Sequence, residues 1–132
     1  MQGIVIISHG GMAEGMLDSA KMFFGELEQV TACSLQPADS PEEFDVRLEA
    51  AIAQVNSGEG VIVLADLLGG TPANRSAYKA SDDVQIITGM NLTMFLELLG
   101  LRLGGEVQVQ SLIEAGQNGI VSLNQLLGGG DN

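Results

Sequence analysis

The chain is 132 residues long, which suits one domain, and 45% of it is hydrophobic, enough to bury a substantial core. Seventeen acidic residues against 5 basic ones give a formal net charge of −12, which repels nucleic-acid phosphates and anionic membranes and leaves room for a basic protein partner. No apolar run approaches the ~20 residues a membrane span needs. The N-terminus lacks a basic leader with a cleavage pattern, and the single Cys33 cannot close an internal disulfide, so the expectation is a cytoplasmic protein with Cys33 as core filling.

Ile4, Val5, Ile6 and Ile7 are all β-branched and predict a strand buried on both faces. It runs directly into His9, the only histidine, and then into Gly10-Gly11. Met12, Met16, Leu17, Ala20, Phe23, Phe24 and Leu27 follow at helical spacing, with Gly25 marking the fraying end. Residues 30–35 are a weaker strand. Ser40-Pro41-Glu42-Glu43 is a strong helix start: Ser40 can cap, Pro41 suits the first turn, and Glu43 completes a capping box. Phe44, Leu48, Ala51, Ile52 and Val55 form the apolar face of that helix, and Gly58 stops it.

A third strand, residues 61–65, is uninterruptedly apolar and ends in Asp66-Leu67-Leu68-Gly69-Gly70-Thr71-Pro72. Thr71 as cap and Pro72 at the first helical position start a helix reaching about Tyr78. Residues 84–87 are a fourth strand, followed by Thr88-Gly89-Met90-Asn91 and a buried helix over 92–99. Gly104-Gly105 reads as a hinge, 106–117 as a helix and 119–124 as a last strand. The domain thus covers residues 1–127, with 128–132 as a flexible tail. Strands alternating with helices call for an α/β fold: an open, mostly parallel sheet with helices on both faces.

Three strand ends carry glycine-rich polar loops, and ligands bind beyond the carboxyl ends of such strands, where the strand order reverses. In the order 2-1-3-4 the first and third strands are neighbours, which brings His9 next to Asp66. A carboxylate holding one ring nitrogen fixes the tautomer and leaves the other with a free lone pair, suited to nucleophilic attack, general base work or metal binding. The helix start at Gly69-Gly70-Thr71-Pro72 offers free backbone N–H groups to an anion. A nucleophilic imidazole beside an anion pocket points to phosphoryl transfer through His9.

The simpler readings are a structural histidine, an Asp66 that closes a turn, and a Thr71 that only caps. The Walker lysine, metal-ligand spacing and the Gly-x-Ser-x-Gly elbow are all absent. Ser8 makes no triad with His9, since neighbours on a strand point to opposite faces. A regulatory or ligand-binding module with the same pocket, and a metal-free acid–base enzyme acting on a small anion, stay open at this point.

Ile-Val-Ile-Ile-Ser-His-Gly-Gly near the start, Ala-Asp-Leu-Leu-Gly-Gly-Thr-Pro-Ala-Asn in the middle and Thr-Gly-Met-Asn-Leu before the buried helix together resemble the IIA component of the mannose-type branch of the bacterial phosphoenolpyruvate:sugar phosphotransferase system. The resemblance covers about the whole chain. It implies that His9 takes a phosphoryl group, on the ring nitrogen distal to the backbone, from the phosphocarrier HPr and passes it to a IIB component. It also implies that Asp66 bonds the other ring nitrogen and that the Thr71 hydroxyl lies near the phosphoryl group; the glycine-rich loops and the helix start add Gly10, Gly69 and Gly70 as expected phosphoryl-binding residues. No cofactor or metal is required, because donor and acceptor are both imidazoles. An apolar collar of Met12, Leu67, Leu68 and Met90 would face partners and exclude water. The resemblance further implies IIB on a separate chain, membrane IIC and IID components served indirectly, and a homodimer in which an antiparallel C-terminal strand, here 119–124, can be exchanged. The sugar is not legible in this chain.

Overall fold

The computed structural model describes residues 1–128. Four strands, β1 (Gly3–His9), β2 (Val30–Leu35), β3 (Val61–Ala65) and β4 (Val84–Ile87), form one sheet in the order β2-β1-β3-β4. Every pairing is parallel. β1 is central. It runs beside β2 from Ile4 opposite Val30 to His9 opposite Leu35, and beside β3 from Gly3 opposite Val61 to Ile7 opposite Ala65. The first and third strands are therefore neighbours, as the alternation of elements predicts.

The side chains of β1 alternate between two cores. Ile4 and Ile6 pack with Ala13, Met16 and Ala20 of helix α1 (Met12–Phe24) and with Phe95 and Leu98 of α4 (Leu92–Leu101). Val5 and Ile7 pack with Phe44, Leu48 and Val55 of α2 (Pro41–Val55) and Ala73 of α3 (Gly70–Ser76). A strand buried on both faces needs apolar residues at every position, which explains the unbroken run. At Gly3 the approach is closer still, since a Cβ would stand 2.3 Å from the Val55 carbonyl oxygen.

The α2 start is as read from sequence. The Ser40 hydroxyl accepts from the Glu43 N–H at 3.1 Å, and the Glu43 carboxylate accepts from the Ser40 N–H at 3.0 Å. Three boundaries differ from expectation. α3 begins at Gly70, because Gly69 and Gly70 turn the chain with φ of 81° and 77° and start the helix ahead of Thr71. Thr71 therefore sits inside the first turn and is not its cap. Arg102–Gly104 closes α4 with a 3-10 turn, and the next helix, α5, spans Val109–Asn118.

The third difference is the expected last strand. Within this chain 119–124 pairs with no sheet edge. Ser122 instead caps a short helix, α6 (Leu123–Leu127), its hydroxyl accepting from the Gln125 N–H at 3.2 Å. A strand needs a partner for its N–H and C=O groups, and a capped turn satisfies them locally. Of the expected tail, 129–132 lies outside the described residues. Among the described residues no helix is long and apolar enough to cross a membrane.

Candidate active site

His9 ends β1 and Asp66 directly follows β3, so their meeting is a consequence of the strand order. The Asp66 N–H donates to the Ile7 carbonyl at 3.2 Å, which carries the pairing one step past the strand. Asp66 Oδ2 lies 2.7 Å from His9 Nδ1 and also accepts the His9 backbone N–H at 2.9 Å. Oδ1 accepts the Leu67 N–H at 2.9 Å. Both carboxylate oxygens are thus engaged. Burial pushes the Asp66 carboxyl up, but the hydrogen bonds from His9 and Leu67 outweigh it and hold the carboxyl below its ordinary value.

A carboxylate can only accept, so Nδ1 carries the proton and Nε2 carries the lone pair. The Asp66 side chain is only 7% exposed, while that of His9 is 46% exposed. The aspartate is thus buried beneath a half-exposed imidazole. Gly70 lies against the ring: a Cβ there would stand 2.8 Å from Cε1 and 3.1 Å from Nε2. A glycine is required both for this approach and for its φ of 77°. Gly69 also has positive φ, and Gly10, at φ 57°, turns the chain from β1 toward α1.

The other expected site residues divide. Gly10, Gly69, Gly70 and Thr71 belong to the loops around the imidazole, and the Thr71 hydroxyl makes no hydrogen bond among the described residues. Met12, Leu67 and Leu68 are exposed, Leu68 at 83%. Met90 does not join them. It is 5% exposed and packs in the core with Met94 and Phe95. Its backbone N–H donates to the Ala65 carbonyl at 3.0 Å, so the chain re-enters the core there and does not rim the site. Arg75 points no charge at His9. Its guanidinium forks onto both oxygens of Asp45 on α2, with Nε donating at 2.9 Å.

The sequence reading missed Ser8. It is fully buried on the opposite face from His9. Its hydroxyl donates to the Gly10 carbonyl at 3.0 Å and accepts the Ala13 N–H at 2.8 Å. A hydroxyl residue just ahead of a helix start was the available signal. Among the described residues no group of three or more His, Cys, Asp or Glu is placed to hold a metal ion. A cleft of about 560 Å³ opens at the other end of the strands, lined by Gln2, Glu59, Asp82, Asp83 and Glu106, and does not include His9.

Residues 3–116 match the family model described as PTS system fructose IIA component. The PTS system mannose-specific EIIAB component of Escherichia coli is 31% identical over 125 residues, covering 91% of this chain but only 39% of that longer protein. The sorbose-specific EIIA component of Klebsiella pneumoniae is 32% identical over 97 residues, covering 72% of this chain and 70% of that protein. Among solved structures, the PTS IIA protein associated with the fucose utilization operon of Streptococcus pneumoniae superposes with a TM-score of 0.87 at 32% identity, covering 96% of each chain. The all-parallel 2-1-3-4 sheet is thus shared with IIA structures, and the chain belongs to the mannose- and fructose-type family of IIA components of the sugar phosphotransferase system.

Proposed function

We propose that this chain is a phosphoryl relay, in which His9 Nε2 accepts a phosphoryl group from phosphorylated HPr and hands it to a IIB component during sugar uptake. One observation carries the reading: Asp66 holds Nδ1 at 2.7 Å on a half-exposed imidazole whose Nε2 has no hydrogen-bond partner among the described residues. The Nε2 lone pair forms the new P–N bond as the donor imidazole leaves with the electrons of the old one. The Nδ1 proton stays in place, and the charge that builds on the ring faces the Asp66 carboxylate. Gly69, Gly70 and Thr71 present backbone N–H groups and a hydroxyl to the transferring oxygens, while Gly10, whose N–H donates to the Leu35 carbonyl at 2.8 Å, contributes the turn beside them. No guanidinium grips them, which suits a group that must be given up again.

Met12, Leu67 and Leu68 form the apolar rim that meets partner proteins and slows hydrolysis. The IIB component and then the IIC and IID membrane components act further down the relay. The chain works as a cytoplasmic homodimer, joined through its exposed apolar C-terminal segment, which includes Ile120, Leu126 and Leu127.

Incubation with labelled phosphoenolpyruvate, enzyme I and HPr is expected to yield an acid-labile, base-stable phosphoprotein. His9→Ala is expected to abolish the label, and a IIB protein to discharge it. Label that survives His9→Ala overturns the assignment. A wild-type protein that never labels points to a regulatory module.

A further inference from the structure

The Gly10–Gly11 peptide, next to the reactive histidine, joins the two residues least able to hold it. Glycines on both sides let a peptide plane rotate at small steric cost. Gly10 sits at φ 57° and Gly11 at φ −80°, ψ 8°, a turn that the backbone alone does not enforce. Neither Cβ position at these glycines has a neighbour within 4 Å, so no side chain crowds the turn at these two positions.

The flanking groups are tied, the Gly10 N–H to the Leu35 carbonyl at 2.8 Å and the Gly11 carbonyl to the Gly15 N–H at 3.1 Å, and between them the peptide itself has one partner among the described residues. Ser8 Oγ donates to the Gly10 carbonyl at 3.0 Å and accepts the Ala13 N–H at 2.8 Å. Ser8 is fully buried, on the same face as Ile4 and Ile6, and so is itself held by the core. In a planar trans peptide the C=O and the following N–H point in opposite directions. With the Gly10 carbonyl turned to Ser8, the Gly11 N–H is turned away from it. That N–H makes no hydrogen bond among the described residues, and neither does the next, that of Met12.

We propose that Ser8 is a positioning residue for the phosphoryl relay, locking the Gly10–Gly11 peptide so that the Gly11 N–H faces the phosphoryl oxygens on His9. Ser8 touches neither the phosphoryl group nor the imidazole and acts through the peptide. Without the lock, rotation of the peptide replaces a donor by a carbonyl oxygen that repels the phosphoryl oxygens. The inference rests on the phosphoryl-relay reading.

The test follows the Gly11 amide by ¹⁵N–¹H NMR in free and phosphorylated protein, together with single-turnover transfer from phospho-HPr. In wild type the Gly11 amide proton is expected to move downfield on phosphorylation. In Ser8→Ala that shift is lost, and the transfer rate falls about tenfold or more at unchanged half-saturation by HPr, as for loss of a preorganised donor. Ser8→Thr, which keeps the hydroxyl, is expected to restore both. A Gly11 amide that does not move in phosphorylated wild type overturns the proposal without any variant. So does a Ser8→Ala protein with wild-type rate and shift. A wild type that takes no label overturns the relay reading itself, a separate outcome from the first two.

Discussion

At the scale of single residues, the site depends on what is missing at Gly70 as much as on His9. In Gly70→Ala the new methyl would stand 2.8 Å from the imidazole Cε1 and 3.1 Å from Nε2. The half-exposed ring can swing aside, so folding suffers mainly the left-handed strain at φ 77°, about 1–2 kcal/mol. Transfer suffers more, because the reactive nitrogen leaves its position, and a displacement of that kind costs about a hundredfold. Urea unfolding and the labelling rate separate the two effects. Equal losses in both would mean that Gly70 serves only the fold.

Asp66 gives a pH-dependent prediction. Its hydrogen bonds hold the folded carboxyl below the unfolded value of about 3.9. The resulting stabilisation is complete above that value and is lost as pH falls through the lowered folded one. Asp66→Asn is therefore expected to be less stable than wild type at neutral pH, with the gap closing as pH falls below about 4. The same variant is expected to slow labelling at least tenfold, since the ring loses its counter-charge and its fixed tautomer. Urea midpoints from pH 3 to 7 test the first part. A gap that widens in acid would give the opposite sign to the shift.

The His9–Asp66 pair was legible because it needs only strand ends and a strand order. Ser8 was not, and Gly70 was legible as a loop glycine of the site but not as the surface under the ring, because these roles lie in tertiary contacts: a hydroxyl reaching across a loop, and a ring lying over a missing Cβ. Met90 was misread for a related reason. Its loop has the composition of a strand-end site, yet the Ala65 carbonyl draws its backbone into the core.

At the scale of elements, legibility follows how local the signal is. The capping box of α2 is complete within four residues and could be read outright. The start of α3 was read two residues late, because proline and threonine are strong start signals and the conformations of Gly69 and Gly70 are not visible in sequence. The segment 119–124, expected as a strand exchanged between two copies, has no sheet edge to pair with inside one chain and there leads into the capped α6 turn instead. The box also gives a control that is independent of the site. Ser40→Ala removes the acceptor for the Glu43 N–H and is expected to cost about 1 kcal/mol. Labelling of the folded fraction should stay at the wild-type rate, because neither Ser40 nor Glu43 bonds His9 or Asp66. A labelling defect without a shift in the urea midpoint would contradict that division.

At the scale of the whole molecule, the two ends of the sheet do different work. The carboxyl ends of β1 and β3 carry the His9–Asp66 pair, and the opposite end is fastened by Arg102. This side chain is 3% exposed and has no carboxylate partner among the described residues. Its guanidinium donates to the backbone carbonyls of Gln2 at 3.0 Å, Gln29 at 3.4 Å and Glu28, which ties the end of α4 to the entrances of β1 and β2. Its Nε has no partner among the described residues, and burial lowers its pKa. A desolvated cation is costly unless its hydrogen bonds are well made. Here they close contacts between segments 73 to 100 residues apart in sequence, which no local structure could close. Arg102→Met keeps much of the length and removes the donors, leaving buried carbonyls with fewer partners. The expected loss is about 2–3 kcal/mol, on the scale of hydrogen bonds to a charged group. The folded fraction should still label at His9 at the wild-type rate, because the change lies at the other end of the strands. A variant as stable as wild type would mean that desolvation cancels the hydrogen bonds. A variant that folds normally but labels slowly would mean that the two ends of the sheet are coupled.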